Sequence, residues 1–200
     1  MRKIVVLSFI TLDGVMQAPG GPEEDSIDTF PYGGWSVAYW DEVLAKEMGN
    51  QMGQTFDLLL GRRTYDIFAD NWPKIDPDSI INKANKYVVT SKAIPVDTDI
   101  WKNSIRIDVD IVEKVKMLKN EEGHDLQVHG SGKLIQALLR NDLIDEFWLK
   151  IYPITLGTGK RLFASGTVPT AFKVKECKLT PSGVILAKYE KSGEVKLGTF

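Results

Sequence analysis

Residues 58–68 read LLLGRRTYDIF. Side chains alternate across a strand, so three leucines in a row predict a strand covered on both faces, the kind found in parallel sheets. The run stops at Gly61, and two arginines and a threonine follow. A strand that turns through glycine into a helix leaves the first helical N–H groups pointing beyond the sheet, with the positive end of the helix dipole behind them. Arg62 and Arg63 at that point predict an anion, because a guanidinium can hold phosphate through two parallel bonds.

The same grammar recurs along the chain. Residues 4–10, IVVLSFI, predict a central strand buried on both faces, and KYVVT, SIRID and LQVH predict three more. Between them the sequence predicts a helix over residues 37–52 with Trp40, Val43, Leu44 and Met48 as its apolar stripe. A short helix starts in the arginine pair, and a helical piece covers residues 79–85. Asp110 and Glu113 bracket a further helix in the manner of a capping box, with Ile111, Val115 and Leu118 as its stripe. The turn GSG at residues 130–132 opens a last helix, KLIQALLRN.

Beyond Asn141 strands dominate. In DEFWLKIYP, residues Phe147, Leu149 and Ile151 face one way, and Trp148, Lys150 and Tyr152 the other. Two final strands, residues 171–179 and 183–191, are joined by Thr180-Pro181-Ser182-Gly183, whose proline and glycine fit a type I turn. Alternating strands and helices followed by a hairpin predict an α/β protein of three layers. Its mostly parallel central sheet has about eight strands and an antiparallel C-terminal edge, with helices on both faces. No linker or repeat divides the sequence, so one domain is expected over residues 1–200.

Composition narrows the function. Of 200 residues, 43% are hydrophobic and 26% charged, as in ordinary globular proteins, and the formal net charge is −2. Without a basic field, neither nucleic acid nor an anionic membrane surface is an expected partner. A single cysteine, Cys177, rules out an internal disulfide and cysteine-rich zinc sites, and it suits a reducing compartment. His124 and His129 are too few for a histidine-rich metal centre. The basic start and short apolar run at the N-terminus mimic a signal peptide, but Asp13 interrupts the run. A cytoplasmic protein without metal is expected.

In open α/β sheets ligands bind beyond the carboxyl ends of the strands. Thr11, Asp13 and Gly14 follow the first strand, and Gly61, Arg62, Arg63 and Thr64 follow the second. Thr90, Ser91 and Lys92 follow the third. Gly130, Ser131, Gly132 and Lys133 follow LQVH. Three of these ends carry a phosphate signature: glycine with arginine before a helix, two hydroxyls with an ammonium, and bare backbone before a helix. Separated phosphates on successive strand ends predict a dinucleotide. Singly, each motif also reads as ordinary surface or turn. Neither GSGKLI nor GTGKRL completes a Rossmann or P-loop fingerprint. His129 reads either as a base or as a strand residue satisfied locally.

The succession TLDG, LLLGRRTY, VVTS, VHGSG and DEFWLKIYPITLGTGKRLF resembles the dihydrofolate reductase superfamily over nearly the whole chain. It is most similar to the branch containing the reductase domain of bacterial riboflavin biosynthesis. The resemblance implies an NADPH-dependent oxidoreductase acting on a small pterin- or pyrimidine-like ring, and a homodimer. By it, Gly61, Arg62, Arg63 and Thr64 hold the pyrophosphate and adenosine side, and Thr90, Ser91 and Lys92 meet the 2′-phosphate. Gly130, Ser131 and Gly132 let backbone approach the pyrophosphate and nicotinamide. Asp41 or Glu42 stands where folate enzymes place a pterin-gripping carboxylate, with Trp35 and Trp40 nearby, although the usual Pro-Trp lead-in is missing. The zinc deaminase residues found upstream in riboflavin enzymes have no counterpart.

Asp13 is the first candidate to orient substrate or relay a proton; an Asp-Gly turn is the plain alternative. Residues 19–34 read as a lid that excludes water. Residues 156–160, with Gly157 and Gly159, close the site from the other side or form a simple glycine loop. A catalytically silent nucleotide sensor on the same fold is the rival expectation.

Overall fold

The computed structural model describes residues 1–25, 29–94 and 101–199. Eight strands form one sheet: β1 (Ile4–Thr11), β2 (Asp57–Gly61), β3 (Lys86–Val89), β4 (Ser104–Ile107), β5 (Leu126–His129), β6 (Glu146–Tyr152), β7 (Ala171–Leu179) and β8 (Ile185–Gly193). Their order is β4-β3-β2-β5-β1-β6-β8-β7. Every pair from β4 to β6 is parallel, and β6–β8 and β7–β8 are antiparallel. The helices are α1 (Glu42–Met52), α2 (Arg62–Ile75), α3 (Ile80–Lys83), α4 (Ile111–Asn120) and α5 (Gly132–Arg140).

The leucine run behaves as its pattern demands. Leu58, Leu59 and Leu60 have no exposed surface. Leu59 joins the core under α4 and α5, with Val115, Leu134, Ile135 and Leu138. Leu58 and Leu60 join the opposite core under α2 and α3, with Tyr65 and Ile81. Burying each leucine is worth about 1.5–3 kcal/mol. A third cluster, Trp35, Leu44, Tyr152, Val184 and Leu186, packs beneath α1.

Some boundaries differ from the sequence pattern. The helix expected over 37–52 is a single 3-10 turn, Val37–Tyr39, followed by α1 starting at Glu42. Asp41 is the reason: its carboxylate accepts the Leu44 N–H at 2.8 Å and caps α1 there. Trp40 therefore precedes the helix and is exposed, as is Val43, so the inward stripe keeps only Leu44 and Met48. The helix after the arginine pair is not short but has 14 residues. The capping box at α4 does not form. Asp110 adopts φ +47° and makes no side-chain cap, and Glu113 pairs instead with Lys116.

The C-terminal hairpin has the expected turn, with the Gly183 N–H donating to Thr180 O at 3.0 Å. Its second strand, β8, sits against β6, which leaves β7 at the edge.

Candidate active site

Strand order decides which loops meet. β5 is inserted between β2 and β1, so the carboxyl ends of β3, β2, β5, β1 and β6 are consecutive along one edge. The chain leaves β1 toward β2 on one side and leaves β5 toward β6 on the other. A crevice at such a reversal is where open α/β sheets place ligands.

The β2 and β5 ends are bonded to each other. The Ser131 hydroxyl accepts the Gly61 N–H at 2.9 Å and lies 3.0 Å from Thr64 Oγ1. Thr64 Oγ1 also accepts the Ser131 N–H at 3.1 Å. Gly130 has φ +54°, and a Cβ there would stand 3.1 Å from Thr64 Oγ1, so the approach of the two loops requires glycine. Neither α2 nor α5 has a side-chain cap at its N-terminus. Two helices thus direct uncapped N–H groups and dipole ends to adjacent places on one edge, and this donor set fits phosphate.

The arginines are engaged. Arg62 pairs with Asp66 one turn on, and its Nη1 donates to Ala93 O at 2.8 Å, which brings it beside the loop after β3. In that loop Thr90 is buried and its hydroxyl accepts the Lys92 N–H, while Ser91 and Lys92 are exposed. Arg63 pairs with Asp25 at 2.7 Å. Arg62 and Arg63, in the first turn of α2, and Lys92, on the loop after β3, therefore stand at neighbouring strand ends.

Asp13 sits at the seam between the β1 and β6 ends. Its carboxylate accepts from the Thr11 hydroxyl at 2.5 Å, from Gly157 N–H at 2.8 Å and from Leu156 N–H at 3.2 Å, with Arg161 3.5 Å away. The Thr11 hydroxyl, against the opposing cost of burial, and then the two N–H groups hold its carboxyl below the usual range. Asp13 is thus an anion that fastens the 156–160 loop. In that loop a Cβ on Gly159, at φ +113°, would strike Phe30 at 2.7 Å and Val15 at 2.8 Å. Gly157 has φ +73° and open space around it.

Of the residues matched to a pterin grip, Trp35 and Asp41 have structural partners of their own. Trp35 is largely buried, donates its indole N–H to Gln17 O at 2.7 Å and packs edge-on against Tyr152. Asp41 caps α1 and also accepts the Ser182 N–H at 3.0 Å. The Leu44 N–H and the groups of residue 182 keep its carboxyl well below the usual carboxylate range. Trp40 faces solvent.

His129 follows the expected reading of a strand residue satisfied locally, and the group on the sheet floor that sequence reasoning missed is Lys150. His129 Nε2 bonds Gln127 Oε1 at 2.9 Å, and the ring lies between Phe56 and Phe68. Burial, reinforced by the Lys150 charge, pushes its pKa down to about 3. Lys150 is 2% exposed and donates to Gln51 Oε1 at 2.5 Å. Burial pushes its ammonium down to about 7. The period-2 pattern of β6 assigns Lys150 a face but gives no sign that α1 covers that face. It also missed Asp25, Gln17 and Lys160, which tie the segment after β1 to the loop after β6. Among the described residues, no group of three His, Cys, Asp or Glu side chains could hold a metal ion, and no helix is long and apolar enough to cross a membrane.

A mostly parallel eight-stranded sheet with antiparallel C-terminal strands and a glycine-bearing carboxyl edge defines a reductase-like α/β fold. The chain belongs to the RibD C-terminal domain family, whose model matches residues 2–186. It is 27% identical to "Uncharacterized protein YyaP" of Bacillus subtilis (strain 168) over 201 residues, covering 96% of each chain. It is 34% identical to "Uncharacterized protein YwjB" of the same organism over 184 residues, covering 88% of this chain and 91% of that one.

Two solved structures share the fold. A "Putative riboflavin biosynthesis protein" from Shewanella sp. PV-4 has a TM-score of 0.65 at 20% identity, covering 95% of this chain and 99% of that one. A pyrimidine reductase-like protein from Corynebacterium diphtheriae has a TM-score of 0.61 at 11% identity, covering 96% and 93%.

Proposed function

We propose that this chain is an NADPH-dependent reductase that transfers hydride to a small pyrimidine- or pterin-like ring of the riboflavin-pathway type. The observation that carries this reading is the interlocked pair of loops at β2 and β5. They aim two uncapped helix N-termini at one edge of the sheet, flanked by Arg62, Arg63 and Lys92. Family membership supports the reaction class.

When bound, the nicotinamide supplies the hydride; the protein supplies binding and orientation. In this reading Gly61, Arg63, Thr64 and Gly130 to Gly132 hold the pyrophosphate through backbone N–H groups and a guanidinium. Arg62, Thr90, Ser91 and Lys92 hold the 2′-phosphate. Asp13 acts by orientation. Its carboxylate is ionised at neutral pH and its lone pairs are taken by Thr11, Leu156 and Gly157, so it fixes the β1 and β6 tips beside the reacting ring. Gly157 and Gly159 let the backbone of that loop approach the ring's polar edge, and Trp35 backs the segment that excludes water. Residues 26–28 of the expected 19–34 lid lie outside the described residues. One domain, a homodimer and a cytoplasmic site of action belong to the same proposal.

The test is NADPH oxidation, followed by loss of nicotinamide absorbance, across a panel of pyrimidine and pterin substrates. Turnover with at least one ring is expected. Cofactor binding without turnover on any ring would instead mark a catalytically silent nucleotide-binding protein.

A further inference from the structure

Arg63 lies in the first turn of α2, and Lys160 lies in the glycine-rich loop after β6. Both side chains are more than two-fifths exposed, yet both end on one carboxylate. Asp25 Oδ1 is 2.7 Å from the Arg63 guanidinium, and Asp25 Oδ2 is 2.7 Å from Lys160 Nζ.

The segment that delivers Asp25 is docked rather than draped. Val15, Met16, Gln17 and Ala18 are buried. Val15 bridges to Arg161, and the Met16 N–H donates to Lys160 O at 2.8 Å. Gln17 accepts the Lys160 N–H at 3.0 Å and donates to Asp25 O at 3.2 Å. To reach Arg63 from β1 the segment passes the β5 tip, which lies between β1 and β2. There Met16 Sδ stands 3.7 Å from the Cβ position of Gly132. An anion with one oxygen on a guanidinium and the other on an ammonium uses the same donors that a phosphoryl group takes.

We infer that Asp25 is an internal competitor for an anion site formed by Arg63 and Lys160, whose external ligand is a phosphoryl group. That the group belongs to NADPH rests on the proposed function; the anion site itself rests on the geometry alone. An internal competitor lowers apparent affinity by the fraction of molecules in which it holds the site. Asp25→Asn keeps the shape and removes the charge.

Calorimetry on the full chain with inorganic pyrophosphate tests this. Asp25→Asn is expected to bind pyrophosphate roughly tenfold tighter than the natural chain, a gain set by the competing population. The gain is expected to vanish in Asp25→Asn/Lys160→Met. Unchanged or weaker binding by Asp25→Asn, or a gain that survives loss of Lys160, overturns the inference.

A second measurement needs no variant. Amide exchange of residues 16–25 in the natural chain is expected to speed up on saturation with pyrophosphate; unchanged or slower exchange contradicts displacement. Titration with NADPH separates the two claims. A pyrophosphate gain without NADPH binding keeps the competitor and removes the cofactor reading. Equal NADPH affinities with no pyrophosphate gain do the reverse.

Discussion

The two edges of the parallel sheet solve opposite problems. At the amino edge the buried charges are paired within the permanent framework. Arg2 meets Asp57 at 2.5 Å with side chains only 2% and 5% exposed, and Asp57 also accepts from Asn85. Glu146 accepts from Lys3, Lys175 and the Trp148 indole, and Asp145 accepts from the Ile4 N–H and Lys119. At the carboxyl edge two helix N-termini go uncapped, Gly130 and Ser131 hold positive φ, and two cations share a carboxylate brought by a loop. One edge is finished by the fold. The other leaves donors that, under the proposed function, an anion completes, which is how a framework differs from a site.

Variants at each edge test the contrast, and the largest effect belongs to the framework. Arg2→Met strands Asp57 as a buried charge and is expected to cost about 3–5 kcal/mol in denaturant unfolding. It should leave NADPH affinity of the folded protein unchanged in calorimetry.

Glu146 gives the same edge an acid limit. Burial alone would raise its pKa, but the bonds from Lys3, Lys175 and Trp148 prevail and bring it down to about 2. A carboxyl depressed in the folded state stabilises above its unfolded pKa. That contribution is lost as pH falls from about 4.5 toward about 2. Unfolding across this window should show a loss of about 2–3 kcal/mol attributable to Glu146, absent in Glu146→Gln.

The carboxyl edge should respond the other way round. Arg63→Met removes an exposed partner, so unfolding should change by less than about 1 kcal/mol. Calorimetry should show NADPH binding about 10- to 100-fold weaker, as expected for a lost charged hydrogen bond. The smallest effect is expected for Ser131→Ala. It removes the acceptor for Gly61 N–H and is worth about 1 kcal/mol in unfolding. If Arg63→Met proved as destabilising as Arg2→Met, the distinction between the edges would fail.

Local rules made the frame legible. Leu58 to Leu60 are buried on both faces because no other placement accommodates an unbroken apolar run, and the glycines at the ends of β2 and β5 mark where the chain turns into α2 and α5. What stayed hidden depends on distance or on competition between local signals. The Asp25–Lys160 pair joins residues 135 apart, and the bond that fastens Asp13 to Gly157 spans 144. No pattern within a loop reveals either. Trp40 matched a helical stripe, but Asp41 is the stronger start signal and placed it outside α1. Asp110 looked like a cap by composition, and its left-handed backbone turns the side chain away from that duty.

Titration of the purified chain with NADPH and NADH in parallel addresses the carboxyl edge most directly. Saturable uptake of NADPH, markedly tighter than that of NADH, is the expected result because the proposed function assigns the 2′-phosphate to Arg62 and Lys92. No uptake of NADPH, or equal affinity for the two nucleotides, would contradict it.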